Sequence, residues 1–107
     1  MHTLDLPEPI AACFAVEHPA AFARCFTAQA SVRDEGHTYT GLAAIQAWKA
    51  ASSAKYAYAA QPLAVERQAD LQVVRARVTG NFPGSPADLS YRFRLERGLI
   101  AALEITA

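Results

Sequence analysis

The sequence lacks an excess of charge of either sign, because ten Lys and Arg residues balance ten Asp and Glu residues among 107. Proteins that bind nucleic acid need a basic surface for the phosphates, so this balance argues against that class of partner. No apolar run approaches the roughly 18 residues of a membrane-spanning helix. The N-terminal residues include Asp5 and Glu8, whereas a secretion signal is basic and then apolar. We therefore expect a cytoplasmic protein that binds neither nucleic acid nor a membrane.

Cysteine is also scarce. Cys13 and Cys25 form no CxxC pair, and no histidine cluster has the spacing of zinc ligands. Free Cys is among the most buried residue types, so we expect two buried thiols. The sequence contains neither a phosphate-binding glycine loop nor a GxSxG nucleophile motif. We expect no metal site and no cofactor.

Apolar residues are plentiful, at 52% of the chain, which is too high a fraction for a disordered protein. A chain of 107 residues has room for one modest core. The sequence contains no internal repeat and no linker. It therefore predicts a single domain over residues 1–107.

The spacing of apolar residues predicts three helices. The positions at helical spacing are Ile10, Cys13 and Phe14, then Ala21, Phe22, Cys25 and Phe26, then Leu42, Ile45 and Trp48. Pro19 suits the first position of the second helix. We expect the third helix to run from Leu42 to about Lys55, with Thr40 as its N-cap.

Alternation of apolar and polar residues predicts strands over residues 28–35, 37–40, 56–68, 71–80, 87–96 and 99–106. In the first of them Ala30, Val32 and Asp34 share one side. In the fourth and fifth, arginines alternate with apolar residues; they are Arg75, Arg77, Arg92 and Arg94. Helices followed by antiparallel strands predict an α+β domain whose helices cover the apolar face of one sheet. We expect the arginines to lie on the outer face of that sheet.

The stretch from Phe22 to Trp48 resembles the nuclear transport factor 2-like superfamily, particularly its SnoaL-like polyketide cyclase and ketosteroid isomerase branches. These proteins have an alanine-x-valine-x-aspartate strand, matched here by residues 30–34. They open the third helix with glycine-x-x-x-isoleucine-x-x-aromatic, matched here by residues 41–48. The resemblance implies a cone-shaped α+β barrel, in which N-terminal helices pack on a strongly curved, mostly antiparallel sheet around an apolar pocket. It also implies a homodimer, formed through the outer face of the sheet.

The resemblance implies that Asp34 is a general base, as the strand aspartate is in ketosteroid isomerases. Its position on the side of Ala30 and Val32 agrees, because a carboxylate facing the core has a raised pKa and can act as a base near neutral pH. The alternative is structural: Asp34 would cap the Glu35-Gly36 turn or pair with an arginine.

Tyr91 is the second candidate catalytic residue. The resemblance places it where ketosteroid isomerases carry a protonated aspartate that donates to an oxyanion, and a tyrosine hydroxyl can donate in the same way. The first-helix tyrosine of those enzymes has no counterpart among Ile10, Cys13 and Phe14. The alternative for Tyr91 is a core aromatic residue.

Further aromatic residues are expected to line the pocket and contact its ligand; they are Trp48, Phe14, Phe22, Phe93, Tyr39 and Tyr56. The polyketide cyclase branch uses a histidine beside its aspartate. His37 is the candidate, but the alternation of an extended chain predicts that it faces the opposite side of the sheet from Asp34 unless the turn between them reorients it.

Together these observations predict a domain that binds a small apolar molecule. One hypothesis is an isomerase or cyclase without a cofactor, which acts on an apolar carbonyl compound with Asp34 as base and Tyr91 as hydrogen-bond donor. The alternative is a non-catalytic binder of an apolar ligand, or a dimeric interaction module, of the same fold.

Overall fold

The computed structural model describes residues 5–16 and 18–107, with Tyr56 described through its backbone alone. This part of the chain forms three helices and six strands in the predicted order. They are α1 Glu8–Ala15, α2 Pro19–Ala23, β1 Phe26–Asp34, β2 His37–Thr40, α3 Leu42–Tyr56, β3 Ala59–Gln68, β4 Leu71–Thr79, β5 Ala87–Glu96 and β6 Leu99–Thr106. None of the helices described here has the length and hydropathy that crossing a membrane requires.

All six strands form one sheet in the order β2-β1-β6-β5-β4-β3. Neighbouring strands are antiparallel except β1 and β6, which run parallel. Register shifts occur in β1, β3 and β5, and such irregularities bend a strand. The predicted α+β fold with a mostly antiparallel sheet is confirmed. The sheet is open, because β2 and β3 are its two edges and do not pair with each other.

The turn between β1 and β2 determines which face His37 occupies. Glu35 and Gly36 have φ values of 52° and 77°, as in a two-residue hairpin turn of type I′. This turn places His37 directly opposite Asp34 in the ladder. Because directly opposed residues lie on the same face of a sheet, the turn brings His37 to the face of Asp34, and the expectation from alternation alone is wrong. The simple alternation fails because both turn residues lie outside the extended conformation.

Helix α3 begins after Gly41, whose φ of 89° is open to glycine and strained for other residues. The predicted N-cap, Thr40, is wrong because Thr40 remains in β2, paired with Ser31. The N–H of Gly41 instead donates to the carbonyl oxygen of Ala30 over 2.9 Å. This hydrogen bond joins the start of the helix to β1.

The inner face of the sheet carries the core. Most residues of the predicted apolar rows are buried, including Ala30 and Val32 in β1, Val74, Ala76 and Val78 in β4, and Tyr91 and Phe93 in β5. Ile10, Ile45 and Trp48 cover them from the helices.

The outer face carries the predicted arginines, all of them exposed. Arg77 pairs with Asp88 over 3.0 Å, and Arg92 lies 3.7 Å from Glu104. Exposed pairs of this kind contribute little to stability. A homodimer through this face stays a prediction.

Packing of α3 on the sheet can be tested at Ile45, which is fully buried, against Leu42, which is 37% exposed on the same helix. We expect Ile45→Ala to lower the free energy of unfolding by about 2–5 kcal/mol, because it leaves a cavity in the core. Leu42→Ala should lower it by less than about 1 kcal/mol. Urea unfolding followed by circular dichroism measures both changes. Equal losses in the two variants would contradict this account of the core.

Candidate functional site

Asp34 and Trp48 meet inside the molecule. Asp34 ends β1 on the side of Val32, and Trp48 follows Ile45 by one turn on the inward face of α3. The indole N–H of Trp48 donates to Oδ2 of Asp34 over 3.2 Å. The pairing holds a half-buried carboxylate against a buried aromatic ring. The sequence had predicted an inward position for each of the two residues, but not their contact.

Burial raises the pKa of the Asp34 carboxyl above its ordinary value. Hydrogen bonds from the Trp48 indole and from the backbone of Glu35 act against this increase, and the charge of Glu35 adds to it. Among the ion pairs of the described residues, none joins Asp34 to an arginine.

Tyr91 lies in the same region and is buried. Burial raises the pKa of its phenol well above the ordinary value, and the neighbouring Tyr58, Cys13 and Asp34 act in the same direction. The hydroxyl therefore stays protonated at neutral pH and can donate a hydrogen bond.

A cavity of about 280 Å³ brings Asp34 and Tyr91 together. Its apolar lining includes Trp48, Tyr58, Val78, Phe82, Leu89 and Ile105. This volume is near the lower end of the range for small-molecule pockets. Glu35 and Ser52 also line this cavity, so two carboxylates and three hydroxyl groups lie among its apolar residues. This lining suits an organic ligand that carries a polar group on an apolar body.

A second cavity, of about 110 Å³, adjoins the first and shares Trp48, Tyr58 and Tyr91 with it. Phe14 and Phe22 line this second cavity, as does Lys49. Phe14 packs against Tyr91 with ring centroids 5.0 Å apart, and Phe22 lies 5.9 Å from Trp48. Phe14 and Phe22, both predicted to line the pocket, therefore pack against the aromatic residues of the larger cavity.

Sequence reasoning missed Lys49, which is only 7% exposed. Its ammonium donates to the hydroxyl of Tyr58 over 2.7 Å and lies 5.0 Å from the ring centroid of Phe22. A signal was present, because Lys49 follows Ile45 by four residues and so shares the buried face of α3. The usual exposure of lysine concealed it.

The other predicted site residues lie around this centre. The ring of Tyr39 is 6.1 Å from that of Trp48, in a groove that also includes Asp34. Phe93 is fully buried and stacks on Tyr91 at 6.2 Å, so it supports the cavity wall from behind. His37 is exposed and lines neither cavity. The side chain of Tyr56 lies outside the described residues.

The two cysteines are buried and free, as predicted. Burial raises the pKa of both thiols, so neither is an activated nucleophile. Within residues 5–16 and 18–107, no three side chains of His, Cys, Asp or Glu come together as metal ligands would.

Comparison with known proteins identifies solved structures of the same fold, one of which is also similar in sequence. No protein-family model matches the chain, and no curated protein matches it. A candidate polyketide cyclase from Sinorhizobium meliloti is 38% identical, with a TM-score of 0.91 over 95% of this chain and 96% of that one.

Two more distant structures have the same fold. A protein of ketosteroid isomerase-like fold from Catenulispora acidiphila, in complex with trimethylamine, is 23% identical, with a TM-score of 0.83 over 98% of this chain and 87% of its own. TerC, co-crystallised with polyporic acid, is 18% identical, with a TM-score of 0.77 over 92% and 88%.

The raised pKa of Asp34 predicts a pH dependence of stability. When the pKa is higher in the folded than in the unfolded state, the unfolded chain loses its proton first as the pH rises. The free energy of unfolding therefore falls as the pH rises from the ordinary value of 3.8 through the raised pKa. Asp34→Asn cannot titrate and keeps an oxygen for Trp48. We expect the free energy of unfolding of Asp34→Asn, relative to that of wild type, to increase as the pH rises through that range, as measured by urea unfolding. A difference that stays constant or falls would contradict the raised pKa.

Asp88→Asn is the matched control with the opposite sign. The hydrogen bond and charge of Arg77 lower the pKa of Asp88, so this pair stabilises the fold above the ordinary pKa and stops doing so as the pH falls. Asp88→Asn should be slightly less stable than wild type at neutral pH, and the difference should close in acid. The same urea titrations measure it.

Proposed function

The chain belongs to the nuclear transport factor 2-like superfamily as a SnoaL-like domain, and we propose that it is an enzyme that transfers a proton on an apolar carbonyl compound without a cofactor. One observation carries the proposal: the Asp34 carboxylate, held by the Trp48 indole, borders the same apolar cavity as Tyr91. A base and a hydrogen-bond donor on one cavity are what removal of a proton next to a carbonyl group needs.

In this mechanism Asp34 takes a proton from the carbon next to the carbonyl group. The electron pair of the C–H bond forms a carbon–carbon double bond, and the carbonyl oxygen becomes an enolate oxygen that accepts a hydrogen bond from Tyr91. If a carbon–carbon double bond lies next to that carbon, the intermediate is a dienolate. Protonated Asp34 then returns the proton to the far carbon of the dienolate, which gives the isomer with the double bond conjugated to the carbonyl group. In a cyclase the enolate carbon instead attacks another carbonyl carbon of the same substrate, and the new alkoxide takes the proton from protonated Asp34.

The electrostatics of the cavity favour this chemistry. A raised pKa makes Asp34 a stronger base than an exposed carboxylate, and general bases work best when their pKa is near the working pH. The Trp48 hydrogen bond fixes the orientation of the carboxylate. The raised pKa of Tyr91 keeps its hydroxyl in the donating form.

The relatives support a small organic substrate. The Sinorhizobium meliloti protein is a candidate polyketide cyclase, and TerC was crystallised with an organic acid. The apolar cavity in this chain agrees with a ligand of that kind, and we propose a cyclic ketone as the simplest probe of the reaction.

The test is exchange of hydrogen for deuterium next to the carbonyl group of a panel of cyclic ketones in D₂O, followed by NMR. We expect wild type to accelerate exchange for at least one ketone and Asp34→Asn to lose about 10²-fold or more of that rate. Tyr91→Phe should lose about 10²-fold, as removal of one oxyanion donor does. Asp88→Asn, on the outer face, is the control and should exchange at the wild-type rate.

Two results would overturn the proposal. If folded Asp34→Asn exchanges ketones at the wild-type rate, Asp34 is not the base. If wild type binds the ketones but exchanges them no faster than buffer, the cavity belongs to a non-catalytic binder. Circular dichroism of each variant shows whether the fold is retained.

A further inference from the structure

Lys49 is a buried cation that lines a cavity, and an anion bound there would be stabilised by its charge. Its side chain is 7% exposed. Removing an ammonium from water is costly unless it gains a partner of opposite charge or strong hydrogen bonds. Among the ion pairs that the described part of the chain forms, none includes Lys49. Its interactions are with the Tyr58 hydroxyl at 2.7 Å and with the rings of Phe22 and Tyr58.

These interactions leave N–H donors of the Lys49 ammonium available at the cavity wall. An ammonium has three N–H donors, and the bond to Tyr58 uses one of them. The ring centroids of Phe22 and Tyr58, at 5.0 and 4.5 Å, attract the charge but are weak acceptors. Because the Tyr58 oxygen accepts from Lys49, its own O–H can donate elsewhere. Two donors, the ammonium and the phenol, thus belong to the same cavity.

We propose that Lys49 and Tyr58 bind a carboxylate of the substrate, so that the carbonyl compound of the proposed function is a keto acid whose remaining body is apolar. A carboxylate here would receive charge-assisted hydrogen bonds and would neutralise the buried ammonium. The smaller cavity of Lys49 adjoins the larger cavity of Asp34 through Trp48, Tyr58 and Tyr91. A substrate that spans both cavities has its negative end at Lys49 and its reacting carbon at Asp34, and the charge of Asp34 disfavours the reverse orientation.

The assignment of the reacting carbon to Asp34 rests on the proposed function, whereas the carboxylate site does not. The test therefore measures binding and not turnover. The probes are 4-oxocyclohexanecarboxylate and its methyl ester, which share a ring and a ketone and differ in charge. Isothermal titration calorimetry at neutral pH and low salt gives both affinities. We expect wild type to bind the acid about 10-fold or more tightly than the ester, the effect of a hydrogen bond to a charged group.

Variants locate the preference. Lys49→Met keeps the length and apolar contacts of the side chain, and we expect it to lose the preference for the acid over the ester. Tyr58→Phe should lose a smaller part of the preference, because the ammonium remains. Asp34→Asn should keep the preference or increase it, since a repelling charge is removed.

Equal affinities of wild type for acid and ester would overturn the carboxylate site. So would an undiminished preference in folded Lys49→Met, and Tyr58→Phe provides the second test if Lys49→Met does not fold. The two proposals fail separately. A preference that depends on Lys49, together with deuterium exchange that is indifferent to Asp34, overturns the proposed reaction alone. Exchange that depends on Asp34 without any preference for the acid overturns the carboxylate site alone.

Discussion

The hydrogen bond between the Trp48 indole and the Asp34 carboxylate joins helix α3 to strand β1 inside an apolar fold. The helix must bury its Ile45 and Trp48 face, and alternation along β1 places Asp34 in the same inner row as Val32. A carboxylate in such a place destabilises the fold unless it finds donors, and the indole is one that the helix can supply without a second charge. The hydrogen bond that stabilises the half-buried Asp34 carboxylate also holds it at the cavity wall. Packing of α3, ionisation of Asp34 and access of a ligand to it are therefore linked.

Consecutive residues of α3 divide the interior into two chemical environments. Side chains one position apart on a helix point about 100° apart, so Trp48 and Lys49 can both be buried while they face different neighbours. Trp48 reaches Asp34 in the larger cavity, and Lys49 reaches Tyr58 in the smaller one. An acidic end and a basic end result from one helix packed on one curved sheet. Aromatic rings shared by the two cavities, those of Trp48, Tyr58 and Tyr91, form the boundary between them.

Much of this fold could be predicted from local patterns, and the exceptions share a physical cause. Strand alternation placed Asp34 and Tyr91 on the inner face correctly, because side-chain direction in a strand depends only on residue parity. The face of His37 was not accessible to that rule, since it depends on the two φ > 0 residues of a turn. The start of α3 at Leu42 was predicted correctly, but its N-cap was not, because Thr40 pairs within the sheet and does not cap the helix. The hydrogen bond between Trp48 and Asp34 and the burial of Lys49 depend on tertiary contacts. The sequence pattern indicates which side of a helix or strand each residue occupies, but it does not indicate which residue it contacts. Phe93 shows the same limit, because a position on the inner face does not say whether a side chain lines a cavity or supports its wall.

We propose that the Asp34 carboxylate removes the proton from the substrate. The most direct measurement compares two pKa values in one protein: that of the Asp34 carboxyl carbon by NMR titration, and that of the acidic limb of kcat/KM for ketone exchange, which reports the essential base of the free enzyme. We expect both pKa values to lie above the ordinary value of 3.8 and to coincide. Both should increase together in Trp48→Phe, where the hydrogen bond that lowers the pKa of Asp34 is lost. A kinetic pKa that differs from that of Asp34, or that stays fixed in Trp48→Phe while the NMR value moves, would contradict the proposal.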